Sequence, residues 1–352
     1  MLINDQETLK QVCLELEKEK VIAIDIESEN NLHHYGVYIS LIQISSKRKD
    51  YVIDVLELKE IKPLMKILEN PEIQKIFHDV DYDFRMLNMV GCKPKNIFDT
   101  QTAAILLGKE HIGLGALLEE YFKVQKISKF QKADWTKRPL TKEMLDYAIG
   151  DTKYLIELRD ILKKELGPRL KWAEEDFKEF EKKEWVYTLP TYKDIKGFRD
   201  LSETQRAIAK RLYQLREKLA KKVDRPVHFV LNNKKIIEFS ISNPTWNKVS
   251  GVHPIVRKNY KEFVEEVKLG RKEKITLPEF SKKKFDTKQK EKFALLGGIQ
   301  DKLGKELKMP RHLIMNKDQM IEIVISGTLK SLKHWQKELV KPHLKDVLEK
   351  NS

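Results

Sequence analysis

From Val21 to Glu27 the chain reads Val-Ile-Ala-Ile-Asp-Ile-Glu, an apolar, β-branched run broken by two carboxylates two positions apart. Side chains of a strand repeat their direction every two residues, so Val21, Ala23, Asp25 and Glu27 share a face that carries two adjacent like charges. Further strands are expected at about 38–46 and 51–54, helices near 60–69 and 80–90, and a short strand from Lys75 to Phe77 ahead of the second helix. Strands alternating with helices indicate an α/β domain. In the helix that should begin near Asp79, the apolar stripe is Val80, Phe84 and Leu87 at i, i+4 and i+7, and Asp83 falls inside it. A longer helix is expected from Thr141 to Leu162, with the stripe Met144, Tyr147, Ala148, Asp151, Leu155 and Leu158. Tyr147 and Asp151 are stacked neighbours on it, and again an acid faces inward.

A buried, unpaired carboxylate costs several kcal/mol or gives up its charge. Inward acids on three elements therefore require cations, and no Lys or Arg lies within these stripes. A bound divalent metal answers this most simply; cations reaching in from surface loops are the alternative. Carboxylates without His or Cys partners suit Mg²⁺ or Mn²⁺ rather than Zn²⁺. The Asp79, Asp81, Asp83 run is not a calcium loop, since its sixth position is Phe84 rather than Gly and its twelfth is Val90 rather than Glu. Asp79 reads instead as a helix N-cap and Asp81 as a solvated residue. His78 either contacts substrate or closes the end of its strand. His33 and His34 occupy the loop after Glu27, open to substrate or to water, and Asp134 with Trp135 can anchor a loop through a buried indole.

At 352 residues and 41% hydrophobic, the chain should hold two or three domains with ordinary cores. Cys13 and Cys92 make no metal-type spacing, and no signal-like or membrane-spanning segment is evident, so a reduced, cytoplasmic protein is expected. No feature points to a protein partner. Charge divides the chain: residues 1–200 hold 33 Lys+Arg against 36 Asp+Glu, whereas residues 201–352 hold 35 against 18. A near-neutral first part joined to a strongly basic second part reads as a domain with a polyanion-gripping arm, because phosphate neutralisation dominates nonspecific nucleic-acid affinity. Within that arm, Arg225-Pro226 followed by Asn232 aligns with Met309-Pro310 followed by Asn316 at an offset of 84, and amphipathic helices precede both. The polar segment between the two copies reads as a linker whose Lys282, Lys283 and Lys284 could contact phosphate. Another junction falls near Leu189-Pro190.

These residues match a family. Asp25-Ile26-Glu27, then Phe77-His78 with Asp83 five residues on, then Tyr147-x-x-x-Asp151 occur in order, and between the last two stand Gly113-Leu114 with Leu117-Leu118, Asp134-Trp135 and Arg138-Pro139-Leu140. The chain resembles ribonuclease D, in the tyrosine branch of the DEDD 3′→5′ exonucleases. That resemblance implies an α/β, ribonuclease-H-like exonuclease domain with a mixed sheet over residues 1–190. Two small all-α domains follow, similar to the helicase-and-ribonuclease-D C-terminal (HRDC) domain, at 200–272 and, more divergent, at 285–350. It further implies two-metal phosphodiester hydrolysis that releases nucleoside 5′-monophosphates. Asp25, Glu27 and Asp151 would hold the nucleophile-side ion, Asp25 would bridge to the second, and Asp83 would hold that second ion partly through water. Tyr147 would orient the attacking water and help in its deprotonation. The implied partner is RNA, with 3′ trimming of transfer RNA precursors and other structured RNAs as the expected task; a DNA exonuclease or a noncatalytic nucleic-acid binder remain as alternatives. One departure is Ser28, where the family often has a phenylalanine that wedges the terminal bases, and neither Tyr35 nor Tyr38 is an evident replacement.

Overall fold

The computed structural model describes residues 1–126, 128–182, 184, 188–278 and 285–344. Lys282, Lys283 and Lys284 lie outside the described residues.

The first part is built on β1 (Leu2–Ile3), β2 (Val21–Asn30), β3 (Val37–Ser45), β4 (Asp50–Asp54), β5 (Gln74–Phe77) and β6 (Ile97–Asp99). Its helices are α1 (Gln6–Leu16), α2 (Lys62–Glu69), α3 (Val80–Met89), α4 (Thr100–Leu107), α5 (Leu114–Phe122), α6 (Lys142–Gly150), α7 (Leu155–Leu166) and α8 (Leu170–Lys182). The sheet order is β1-β4-β3-β2-β5-β6. β2, β3 and β4 form an antiparallel meander, while β1, β5 and β6 join in parallel, so the sheet is mixed as expected. β2 is central, and Ile22, Ile24 and Ile26 on it are buried together with Ile44, Ile53, Ile76 and Phe77 of its neighbours. Leu9 and Leu16 of α1, Leu64 of α2, Phe84 of α3 and Leu158 of α7 complete the same core. Each of these large apolar side chains contributes about 1.5–3 kcal/mol on burial. The β2–β3 ladder slips once: Glu27 pairs with Leu41 but Ser28 pairs with Ile39, which leaves Ser40 as an extra residue on β3.

The single helix expected over Thr141–Leu162 is two helices, α6 and α7, separated by a turn at 151–154. Thr152 is the physical reason. Its buried hydroxyl bonds Ser45 Oγ at 2.7 Å and the Ile149 carbonyl at 3.3 Å, and such local side-chain bonds compete with continuing helix. Asp151 thereby becomes the C-cap of α6.

The basic part is helical throughout its described residues: α9 (Glu203–Val223), α10 (Val227–Val230), α11 (Asn233–Ile241), α12 (Pro254–Lys258) and α13 (Tyr260–Gly270), then α14 (Thr287–Leu307), α15 (Arg311–Ile314), α16 (Lys317–Ser326) and α17 (His334–Val340). The internal repeat holds in three dimensions. α9 and α14 both run 21 residues and end on left-handed C-caps, Asp224 and Lys308. Pro226 and Pro310 open the short helices that follow, and Asn232 and Asn316 cap α11 and α16 through their side chains. Each half has its own core, one around Leu212, Trp246 and Phe263 and one around Leu296, Met315 and Ile323.

Both halves dock on the sheet domain. Asp224 accepts the Tyr35 N–H at 3.1 Å and bonds His34 Nδ1 at 2.6 Å, and the Tyr35 ring packs into the core of the α9–α13 unit. On the other side, Trp335 stacks on Trp172 at 5.1 Å and donates to Asp176 at 3.0 Å. The Glu175 carboxylate accepts the backbone N–H groups of His334 and Trp335, capping the start of α17 from a different domain. Gly108, at φ +77°, lies against the Lys308 carbonyl so closely that a Cβ would collide with it.

Candidate active site

Three elements converge on one group of acids. β2 carries Asp25 and Glu27 at the centre of the sheet, the first turn of α3 carries Asp83, and the end of α6 carries Tyr147 and Asp151. Carboxylate oxygens of Asp25, Glu27 and Asp151 all lie within 4.8 Å of one another, and Asp83 is buried beside them. Burial and the Asp151 charge push the Asp25 carboxyl up to about 7, while burial and the charges of Asp25 and Asp151 push Glu27 up to about 10. Asp83 is held well above the ordinary carboxylate value by burial and by Asp25 and Glu27. Asp151 is also raised by burial, against the opposing pull of Lys126.

Lys126 brings one cation to these acids from a loop, as the alternative to a bound metal allowed. It lies in the loop after α5, its ammonium pairs with Asp151 Oδ1, and it sits 5.6 Å from the centre of the Tyr147 ring. Helical periodicity is blind to a loop residue, so this pair had no signal in the apolar stripes. One ammonium does not balance four carboxylates. The remaining negative charge, presented by hard oxygen donors, fits divalent cations.

Tyr147 is held by aromatic packing: Phe130 meets it edge-on at 5.7 Å and Trp135 lies 5.9 Å away. Burial and the charges of Asp151, Glu27 and Asp25 raise its phenol above the ordinary value, so the hydroxyl keeps its proton. Trp135 is 3% exposed and anchors its loop as the buried-indole reading expects. Arg138 fixes the same loop to β4 through two 2.5 Å bonds to the buried Asp54 carboxylate, and it also donates to the Trp135 carbonyl at 2.9 Å.

Comparison with known proteins bears on the assignment. A 3′→5′ exonuclease family matches residues 1–167 and an HRDC domain matches residues 205–267. The chain is 30% identical over 252 residues to ribonuclease D of Desulfotalea psychrophila, an alignment covering 69% of this chain and 67% of that protein. The chain belongs to the ribonuclease D family. It is accordingly a 3′→5′ exoribonuclease, a hydrolase of phosphodiester bonds, in a metal-dependent family. The exosome complex exonuclease RRP6 of Saccharomyces cerevisiae is 28% identical over 285 residues, 74% of this chain but 39% of that longer protein. Among solved structures, Escherichia coli ribonuclease D matches the fold over 100% of this chain and 99% of its own, with TM-score 0.71 at 22% identity. The catalytic core of RRP6 from Trypanosoma brucei matches 76% of this chain and 79% of its own, with TM-score 0.67 at 25% identity. Among the described residues no helix is long and apolar enough to cross a membrane.

The remaining candidates fall around this acidic group in other ways. His78 bonds Thr100 Oγ1 at 2.9 Å, and burial lowers its imidazole to about 4, so it stays neutral. Thr100 in turn donates to the Phe77 carbonyl, and His78 Nε2 is enclosed, with no hydrogen-bond partner among the described residues. Such a ring closes the end of β5 and offers RNA no accessible nitrogen. Asp79 stands at the N-cap position of α3, but with φ +64° and no side-chain cap; its own N–H is held by Asp99 Oδ1 at 2.8 Å. Asp81 is half-exposed and pairs with Arg85 at 2.5 Å. His33 and His34 are tied to acids, His33 to Glu29 at 3.6 Å and His34 to both Asp134 and Asp224. Glu29 is 2% exposed and bonds the N–H groups of Leu32 and His33, which anchors that loop.

Proposed function

We propose that this chain removes nucleotides one at a time from the 3′ end of RNA by hydrolysis assisted by two Mg²⁺ or Mn²⁺ ions, with Asp25, Glu27, Asp83 and Asp151 as their ligands. The observation that carries this reading is the convergence of three buried or half-buried carboxylates within 4.8 Å, with a fourth beside them and a single lysine in opposition. Asp25, Glu27 and Asp151 are the group suited to one ion, and Asp83, whose charge bears on Asp25 and Glu27, is suited to a second. When bound, such ions acidify a water and stabilise the departing 3′ oxygen. The protein's own part is to hold these oxygens fixed: β2 is paired on both edges, by β3 and β5, and α6 buries Met144, Tyr147 and Ala148, so ligand positions are set before substrate arrives. Tyr147 orients the attacking water and helps in its deprotonation, most of the acidification being left to the ions. Products are nucleoside 5′-monophosphates.

The excess of 35 basic over 18 acidic residues beyond position 200 supports RNA gripping by this part of the chain, with Lys282, Lys283 and Lys284 of the segment between the two copies as proposed phosphate contacts. Structured RNA, transfer RNA precursors among it, is the proposed substrate; the Escherichia coli neighbour is an exoribonuclease involved in structured RNA processing.

The test uses the full chain with 3′-tailed RNA and DNA of matched sequence in Mg²⁺ or Mn²⁺. A stepwise ladder on RNA, halted by a 3′ phosphate and abolished by Asp151→Asn, is expected. Tyr147→Phe should lower kcat more than it changes KM. Internal cleavage of circular RNA, or substantial activity of Asp151→Asn, would overturn the reading, and a preference for DNA would overturn the choice of substrate.

A further inference from the structure

Ser28 follows Glu27 directly, and the slip in the β2–β3 ladder falls between those two residues. A bulge re-aims the side chains beside it. Here Ser28 Oγ meets the hydroxyl of Tyr82 at 2.7 Å, joining the strand that carries two of the acids to the helix that carries the third. Tyr82 immediately precedes Asp83 on α3 and is 37% exposed, the residue of that helix's first turn with a large exposed aromatic ring. A tyrosine ring on a helix surface normally samples several rotamers; this one is held at its tip by a hydroxyl from another element. The result is a part-exposed aromatic ring tethered by a contact between the two residues that directly adjoin Glu27 and Asp83 in the chain, at a site whose substrate ends in a nucleobase.

Resting on the exoribonuclease reading, we propose that Tyr82 is the stacking platform for the 3′-terminal base of the substrate, with Ser28 as the positioning residue that holds its ring. Every nucleobase has a π-face, so such a platform tolerates all four bases while fixing how far the strand end can advance toward the acids. It would account for how a chain with serine at position 28 still registers its terminal nucleotide. Stacking on an aromatic side chain is worth about 1–3 kcal/mol per base, which is roughly a 5- to 150-fold change in affinity.

The experiment measures binding and turnover of the full chain with short single-stranded RNA of two kinds, one ending in 2-aminopurine and one ending in an abasic ribose with a free 3′ hydroxyl. Binding is read in the Asp151→Asn background so that the end is not consumed. Wild-type Tyr82 should quench 2-aminopurine fluorescence on binding. Tyr82→Ala should abolish that quenching and weaken binding of the base-bearing RNA at least five-fold, while leaving the abasic RNA within two-fold. Tyr82→Phe should keep the ring and stay within three-fold of the parent on both RNAs, and Ser28→Ala should lie between parent and Tyr82→Ala. A brace that merely ties α3 to β2 would weaken both RNAs alike and leave quenching in place, which would overturn the proposal; so would a Tyr82→Ala chain indistinguishable from its parent. If the unmodified enzyme makes no mononucleotide ladder, the exoribonuclease reading fails in the turnover arm, while the quenching comparison still decides the platform.

Discussion

Asp25→Asn should make the metal-free protein more stable while destroying its activity. Asp25 ordinarily would titrate at 3.8, and in the folded chain it is pushed up to about 7 by burial and by Asp151. A raised acid binds its proton more tightly when folded, so its stabilising contribution is complete below the unfolded value and is lost as pH rises through the folded one. The window is therefore pH 4 to 7 for Asp25, and Glu27, raised to about 10, extends the decline above it. A lift of roughly three units corresponds to a charging cost of ~4 kcal/mol at pH 8. Lys126 and entering water offset part of this, and removing the Asp25 charge also relieves Glu27 and Asp83. The expected gain is about 2 kcal/mol in chelator at pH 8, or roughly 4–8 °C in the unfolding transition of the sheet domain. At pH 5 the gain should shrink, because the wild-type Asp25 carboxyl is then largely protonated in the folded chain and as neutral as the asparagine that replaces it. Scanning calorimetry in EDTA at the two pH values reads this directly, and added Mg²⁺ should raise the transition of wild type above that of the variant, because the cation binds only the folded, charged site. A variant no more stable than wild type in EDTA at pH 8, or a difference that is the same at pH 5, would refute the idea that these acids store electrostatic strain for a cation.

Two further expectations follow from contacts remote from the acids. Arg138→Ala leaves the Asp54 carboxylate buried without its cation and frees the Trp135 loop, so a loss of about 3–5 kcal/mol in chemical denaturation, with lowered activity through Tyr147, is expected; a loss below 1 kcal/mol would contradict it. Trp335→Ala removes the stack on Trp172 and the bond to Asp176, so the α14–α17 unit should be released, with increased protease cleavage near the linker at residues 271–286 and activity on short oligonucleotides retained; unchanged cleavage would argue against docking through that indole.

The acids were legible because each violates a local pattern: Asp83 lies in the stripe of Val80, Phe84 and Leu87, and Asp151 in that of Tyr147 and Leu155, so a polar residue at an apolar position announces itself. The mixed sheet came through the resemblance, since alternating strands and helices alone do not distinguish parallel from antiparallel pairing. The break between α6 and α7 was hidden because Thr152 interrupts the helix by bonding Ser45, over a hundred positions earlier in the chain. Lys126 was hidden for a related reason, as nothing in a loop's sequence tells where a long flexible side chain will end. Tyr82 carries no local signal either: it breaks no apolar stripe, and its significance depends on Ser28, a partner across the fold. The duplicated helical part was readable at a spacing of 84 because proline turns and asparagine caps, unlike surface lysines, are tied to backbone geometry.

The extra residue on β3 has a consequence for how this active site can change. The extra residue belongs to β3, so the bend it introduces falls beside Glu27 and Ser28 of β2 without adding a residue to the strand that carries the acids. Ser28 reaches Tyr82 from this irregular point of the ladder. Ser40 is wholly buried, and its carbonyl is taken up by the Val55 N–H rather than by β2. A one-residue deletion in β3 would even out the ladder beside Ser28 without altering any of the four carboxylates, so the length of a neighbouring strand offers a way to reshape the surroundings of the Ser28–Tyr82 contact that point substitution within the motif does not.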